Sequence, residues 1–244
     1  MTIFNFRKNF ENNCISNLFQ ELENNPELIA LYFSELAYHS PNYIYKLFHK
    51  FDVVNFSIYN TNDVQVFLVE FDEFAIVGFR GTQINKLNGV ISDLIFWKTK
   101  FQGIHCHKGF VDAILRVSDK LENDLQKLNS TKKLLFTGHS LGGAMAILFS
   151  LKILPTHLIT FGSPKVSSGE DFHNKLCNIE THLRIEIQSD LVPKLPCLMI
   201  NYEHTGKQIL LPSTKGLYNS HRLETYINHT LENSKIQFDK SQKI

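Results

Sequence analysis

The segment Leu134-Leu135-Phe136-Thr137-Gly138-His139-Ser140-Leu141-Gly142-Gly143-Ala144 constrains the fold more than any other part of the chain. Its first residues form a short apolar run suited to a buried strand, and from Leu141 to Leu151 the chain is rich in helix formers. Between the two stand Gly138, Ser140 and Gly142 in G-x-S-x-G spacing, the pattern of a strained strand-to-helix turn. Small residues at Gly138, Gly142, Gly143 and Ala144 let the strand and helix backbones approach. The turn projects the serine hydroxyl away from the sheet, beside the free N–H groups of a helix start. This element therefore predicts a sheet with a helix packed on its face.

The flanking sequence extends that plan. Asn25-Pro26-Glu27 and Ser40-Pro41 read as helix starts, with Asn or Ser as cap and Pro in the first turn. From Val53 to Arg80 the β-branched and aromatic runs are separated by polar turns and predict successive antiparallel strands. After Gly81, helical patterns near 87–95, 109–127, 140–151, 169–177 and 219–229 alternate with strand-like KLLFT, HLITF and HLRIEI. That alternation requires crossover connections, so the fold class is α/β with a central, mostly parallel sheet flanked by helices. CLMINYE and KQILLP, joined through His204-Thr205-Gly206, read as a late hairpin, and the polar residues from Asn233 onward read as a frayed tail. No Pro-, Gly- or Ser-rich linker interrupts residues 27–230, so the 244 residues are expected to form one domain.

Composition narrows the partners. The 25 basic and 24 acidic residues leave a net charge of +1, which gives no electrostatic reason to expect nucleic acid or an anionic membrane surface. No apolar run is long enough to span a bilayer, and Met1 to Asn13 lacks the apolar core of a secretory signal. A cytoplasmic protein, or one exported without such a signal, is the expectation. Cys14, Cys106, Cys177 and Cys197 are scattered without a C-x-x-C pair and read as free, mostly buried thiols.

A serine hydroxyl becomes a useful nucleophile when a histidine removes its proton and a carboxylate orients that histidine. In an α/β-hydrolase both partners follow the serine in the order Ser, Asp, His. Three aspartates follow Ser140. Asp239 lies in the tail and Asp171 in a helix beginning at Gly169, whereas Asp190 follows LRIEIQS, just past the carboxyl end of a strand where such folds build their sites. Of the six later histidines, His157 and His182 flank strand starts and His173 and His229 lie within helical patterns. His204 and His221 remain, and the loop-into-helix setting of His221 favours it, while His204 beside the hairpin suits a structural hydrogen bond.

The motifs then fall into a collinear set. Phe79-Arg80-Gly81-Thr82, Asp93-Leu94, His107-Lys108-Gly109-Phe110, the GHSLGG turn, Thr160-Phe161-Gly162-Ser163-Pro164, Asp190-Leu191-Val192-Pro193, Tyr202-Glu203-His204-Thr205-Gly206 and His221 with Tyr226 occur in that order. Over about Val64 to Ile227 this resembles the class 3, fungal-type lipases of the α/β-hydrolase fold. The resemblance implies a serine lipase or esterase with Ser140, Asp190 and His221 as triad and His204 structural. It further implies oxyanion donors from the backbone N–H of Thr82 and Leu141. No Gly-rich phosphate loop of P-loop or dinucleotide type occurs in the sequence, and no cofactor is implied.

The same resemblance places a lid at Gln83 to Trp97. There Ile84, Leu87, Val90, Ile91 and Leu94 make an apolar face and Asn85, Lys86, Asn88 and Ser92 a polar one. Such a segment can cover an apolar cleft in water and turn toward lipid at an interface; a core-facing helix is the equally weighted reading. Trp97, the one tryptophan, reads as core, with an interface anchor as the alternative that the lid position leaves open. Ile104-His105-Cys106-His107 lacks a second ligand cluster, so no metal is expected. Three alternatives to triacylglycerol-type hydrolysis stand: a phospholipase A, an acyltransferase using the same triad, and a lipid-binding or interaction protein without turnover on the same scaffold.

Overall fold

The computed structural model describes residues 8, 18–49, 53–61, 63–81, 97–196, 201–214 and 216–231, with the backbone alone at 217 and 218. From Leu18 on, three described helices precede the sheet: α1 (Leu18–Asn24), α2 (Pro26–Leu36) and α3 (Pro41–Phe48). Pro occupies the first turn of both α2 and α3, where its missing N–H has no acceptor to lose. Ser40 caps α3 by accepting the Tyr43 N–H, while the Asn25 side chain turns back to Glu21 instead of capping α2.

Strands β1 (Asn55–Asn60), β2 (Gln65–Glu70) and β3 (Phe74–Phe79) pair antiparallel in sequence. Next come the ribbon β4 (Lys98–Phe101) and β5 (Ile104–His107), then helices α4 (Lys108–Leu115) and α5 (Ser118–Leu125). The helical pattern expected over 109–127 is thus two helices. They break at Val117, whose φ of −129° leaves the helical range. Strand β6 (Lys133–His139), helix α6 (Leu141–Phe149), strand β7 (His157–Phe161), helix α7 (Glu170–Leu176), strand β8 (Thr181–Ile187), strand β9 (Lys207–Leu211) and helix α8 (Leu217–Ser220) follow, and a last helical run covers 223–231.

Seven strands form one sheet in the order β1-β2-β3-β6-β7-β8-β9, parallel from β3 onward. The strands alternate their side chains between two cores, as the period of two demands. Ala75, Val77 and Phe79 of β3 join Phe136 and the buried faces of α4, α5 and α6, whereas Phe74 and Ile76 join Leu135, Ile159, Phe161 and the helices α1 to α3. A sheet buried on both faces explains why its central strands read as continuous apolar runs. Buried polar bonds fix the depth of α2 on the sheet: Thr137 Oγ1 lies 2.7 Å from Ser34 Oγ and 3.0 Å from the Ala30 carbonyl oxygen.

One expectation changes, and another reaches beyond the described residues. Lys207–Leu211 pairs parallel with β8, and no hairpin partner for it lies among the described residues. Of the preceding segment, 197–200 lie outside the described residues and Glu203 makes an isolated antiparallel bridge to Ser167. Trp97 is 71% exposed, not core, because the short β4–β5 ribbon sends Phe101, Ile104 and Cys106 inward and leaves the tryptophan beyond them. Cys106 is a buried free thiol and Cys177 an exposed one; Cys14 and Cys197 lie outside the described residues.

Candidate active site

The sheet's parallel half ends in one cluster. Ser140 follows β6 directly, Gly162 follows β7, Asp190 comes three residues after β8, and His221 follows α8 beyond β9. Parallel strands bring all these carboxyl ends to the same edge.

Ser140 sits at φ 59°, ψ −129°, a conformation that costs a non-glycine residue about 1–3 kcal/mol. Hydrogen bonds hold it there: its N–H donates to the Phe161 carbonyl at 2.9 Å, and its own carbonyl accepts from the Ala144 N–H at 3.2 Å. Gly142 makes the turn possible, since a Cβ there would overlap the Phe79 carbonyl, with its carbon only 2.8 Å away. Strand β3 and helix α6 touch backbone to backbone at this point. Leu141 is the first residue of α6, so its N–H has no acceptor within the helix.

His221 Nε2 lies 2.8 Å from Ser140 Oγ, and His221 Nδ1 lies 2.7 Å from Asp190 Oδ2. An ionised carboxylate only accepts, so Nδ1 carries the proton and Nε2 is left to accept from the serine hydroxyl. Asp190 is 1% exposed and fully satisfied: Oδ2 also accepts from the Tyr226 hydroxyl at 2.6 Å, and Oδ1 from the Val192 N–H at 2.9 Å. Burial by itself would raise its pKa. The hydrogen bond and charge of His221, with the bonds from Tyr226 and Val192, outweigh burial and hold the carboxyl below its ordinary range. Tyr226 is pushed well above the ordinary phenol value by burial and by the Asp190 charge, so it stays protonated as a donor.

Gly162, at φ 57°, keeps the centre of this cluster open. A Cβ there would stand 2.8 Å from the Tyr226 hydroxyl, 3.0 Å from Asp190 Oδ2 and 3.2 Å from His221 Cε1. His204 does not enter the cluster. Its Nε2–H donates to the Pro193 carbonyl at 2.7 Å, which ties the segment after Asp190 to the start of β9, and burial lowers its pKa to about 4. Among the other histidines, His157 and His182 lie at strand starts, and His173 on α7 meets Glu203 at 3.1 Å.

The sequence profile of the lipase (class 3) family matches residues 76–199, just over half of the chain. The chain belongs to the class 3 lipases. Its matched region spans β3 to the Asp190 segment, whereas His221 and helices α1 to α3 lie outside it. The chain is similar to the secreted mono- and diacylglycerol lipase 1 of Fusarium solani, with 32% identity covering 56% of this chain and 43% of that protein. It is also similar to a chloroplastic phospholipase A1 of Arabidopsis thaliana, with 29% identity covering 53% of this chain and 20% of that protein. Among solved structures, the triacylglyceride lipase of Rhizomucor miehei superposes with a TM-score of 0.56 at 26% identity, covering 65% of this chain and 66% of that one. The fold is therefore the α/β-hydrolase fold of the fungal lipases, while the chain spans less than half the length of the curated relatives it first matches.

Thr82 and the lid segment's Ile84, Leu87, Val90, Ile91 and Leu94 lie outside the described residues. Among the described residues, no helix is long and apolar enough to cross a membrane. Two contributors to the cluster escape a reading of motifs. Tyr226 is visible as part of a pattern, but its bond to Asp190 is not. Tyr38, 101 positions before His139 and bonded to it, carries no motif at all.

Proposed function

We propose that this chain is a single α/β-hydrolase domain that hydrolyses carboxylic esters of lipids through an acyl-enzyme on Ser140. The observation that carries the reading is the continuous chain from Ser140 Oγ through His221 to the buried Asp190, with both links under 3 Å. His221 Nε2 takes the serine proton as Oγ attacks the ester carbonyl. The imidazolium formed is stabilised by the Asp190 carboxylate, and it then returns the proton to the leaving alcohol. Water, activated by the same histidine, releases the carboxylate product and restores Ser140.

The developing oxyanion is held by the Leu141 N–H and, in this proposal, by that of Thr82. One such donor contributes about 3–4 kcal/mol to the transition state. The lid residues Ile84, Leu87, Val90, Ile91 and Leu94 are proposed to cover the acyl cleft and to bind at a lipid–water interface. Lipid ester is the substrate class that membership of the class 3 lipases supports. A second reading, cleavage of phospholipid acyl esters, is favoured by the similarity to a named phospholipase A1.

The test is carboxylate release from a chain-length series of glycerol and phospholipid esters, below and above their aggregation thresholds, with Ser140→Ala in parallel. Release by the wild type alone supports the reading, and a rise at aggregation supports the lid. A folded wild type as inert as Ser140→Ala across the series refutes hydrolysis.

A further inference from the structure

The two residues at the tip of the strand-to-helix turn hold the same histidine from two sides. Ser140 Oγ meets the His221 ring, and the preceding residue, His139, meets the His221 backbone: its Nε2 lies 2.9 Å from the His221 carbonyl oxygen. The other ring nitrogen, Nδ1, lies 2.7 Å from the hydroxyl of Tyr38. The hydrogens follow from chemistry. A carbonyl can only accept, so Nε2 carries the proton; in a neutral imidazole Nδ1 is then an acceptor, and the Tyr38 hydroxyl must donate to it. The Tyr38 hydroxyl also lies against the Gly81 backbone. No side chain fits between them, since a Cβ on Gly81 would run into that hydroxyl and lie 3.2 Å from Ser140 Cβ.

We infer that Tyr38 and His139 are a positioning pair, through which the helical layer before the sheet holds the backbones of His221 and Gly81 in register with Ser140. The inference rests on the proposed roles of Ser140 and His221 in turnover. Three loops that the chain supplies separately meet in this pair: the end of β3 that leads to Thr82, the Ser140 turn, and the His221 loop. Among the described residues, no ladder bond beyond the strand ends ties these three to one another. Tyr38 lies past the end of α2 and outside residues 76–199, so the part of the chain that the family profile does not match reaches the active centre through it.

The pair works only while His139 is neutral. Its ring centroid is 4.7 Å from that of His221, the ring that becomes cationic during turnover, and 5.6 Å from that of Tyr226. Burial, with the neighbouring His221, depresses the His139 pKa to about 3, opposed by the Asp190 charge and by the bond to the His221 carbonyl. His139 therefore keeps its single Nε2 proton on the carbonyl and leaves the charge to His221. Loss of the Tyr38 hydroxyl removes one of the two bonds that select this tautomer, leaving the His221 carbonyl as the other. With the proton on Nδ1, His139 would turn a lone pair toward the His221 carbonyl and release it.

The test uses Tyr38→Phe, His139→Gln and His139→Phe, with kcat and KM measured across pH on the best ester and Ser140→Ala as control. A displacement of reacting groups by 1 Å costs about 10²-fold, and a loosened loop should cost Tyr38→Phe about tenfold in kcat. KM should stay within twofold, and the acidic limb of the kcat/KM profile should shift, because the base is less firmly placed. His139→Gln offers an amide N–H to the His221 carbonyl and an acceptor to Tyr38, so it should retain most of kcat, whereas His139→Phe should not. Wild-type kcat and an unmoved acidic limb in Tyr38→Phe would overturn the inference while Ser140→Ala remains inactive. Should His139→Phe fail to fold, Tyr38→Phe and His139→Gln decide by themselves. If Ser140→Ala is as active as wild type, it is the triad that fails, not the pair.

Discussion

Tyr226→Phe removes one oxygen from a fully packed site, which makes its cost calculable. In the native protein the Tyr226 hydroxyl donates to Asp190 Oδ2 at 2.6 Å and accepts from the Ile187 N–H at 3.3 Å. A hydrogen bond to a charged group contributes about 1.5–3 kcal/mol, and the long bond to Ile187 adds little, so a loss of about 2 kcal/mol is expected. For a protein of this size that lowers Tm by about 4–8 °C. The pH dependence has a definite sign. The folded Asp190 pKa is depressed, so its stabilisation is present above the unfolded carboxylate value of about 4 and is lost as pH falls through the lower folded value. Thermal unfolding of both proteins from pH 7.5 to pH 3 should show the widest gap at neutral pH and a closing gap below about pH 4. A Tm within about 1 °C of wild type at pH 7.5, or a gap that widens as pH falls, would refute the account of how Asp190 is kept charged.

Other predictions follow from the same geometry. Asp190→Asn should lower kcat by about 10³–10⁴-fold with the fold retained, because an amide offers the wrong partner to the Nδ1 proton of His221; steady-state kinetics on a soluble ester reads this. Gly142→Ala forces a Cβ into the Phe79 carbonyl, so α6 must retreat from β3. Destabilisation of about 3 kcal/mol and loss of most activity are expected by denaturant unfolding and ester assay. His204 is held neutral with a pKa lowered to about 4 by burial, so the unfolded state binds its proton first, and stability falls between about pH 6.5 and pH 4. His204→Gln keeps a donor for the Pro193 carbonyl without titrating, and denaturant curves across that window should show a loss smaller by about 3 kcal/mol.

The sequence carried the sheet because its central strands are buried on both faces, and such runs announce themselves without alternation. Ser140, Asp190 and His221 were legible for a related reason. Each stands just past a strand or at a helix entry, and that placement separates Asp190 from Asp171, which lies in a helix. Contacts between distant segments were not legible. The bond from Tyr38 to His139 depends on how deeply α2 sits on β6, which Ser34 and Thr137 set, and no local pattern encodes it. The parallel pairing of β9 with β8 was not legible either, because a strand joins the sheet by position and not by its nearest turn. Trp97 was assigned to the core by residue type, but a two-stranded ribbon has too little area to bury every apolar side chain it carries.

Covalent trapping tests the central claim most directly. The protein is treated with a long-chain alkyl fluorophosphonate and the adduct is located by peptide mass spectrometry, with Ser140→Ala and His221→Gln alongside. One adduct on Ser140, formed much more slowly in His221→Gln and absent from Ser140→Ala, is the predicted result. An adduct at another residue, or labelling at an equal rate with His221 replaced, would contradict the assignment of Ser140 as a nucleophile driven by His221.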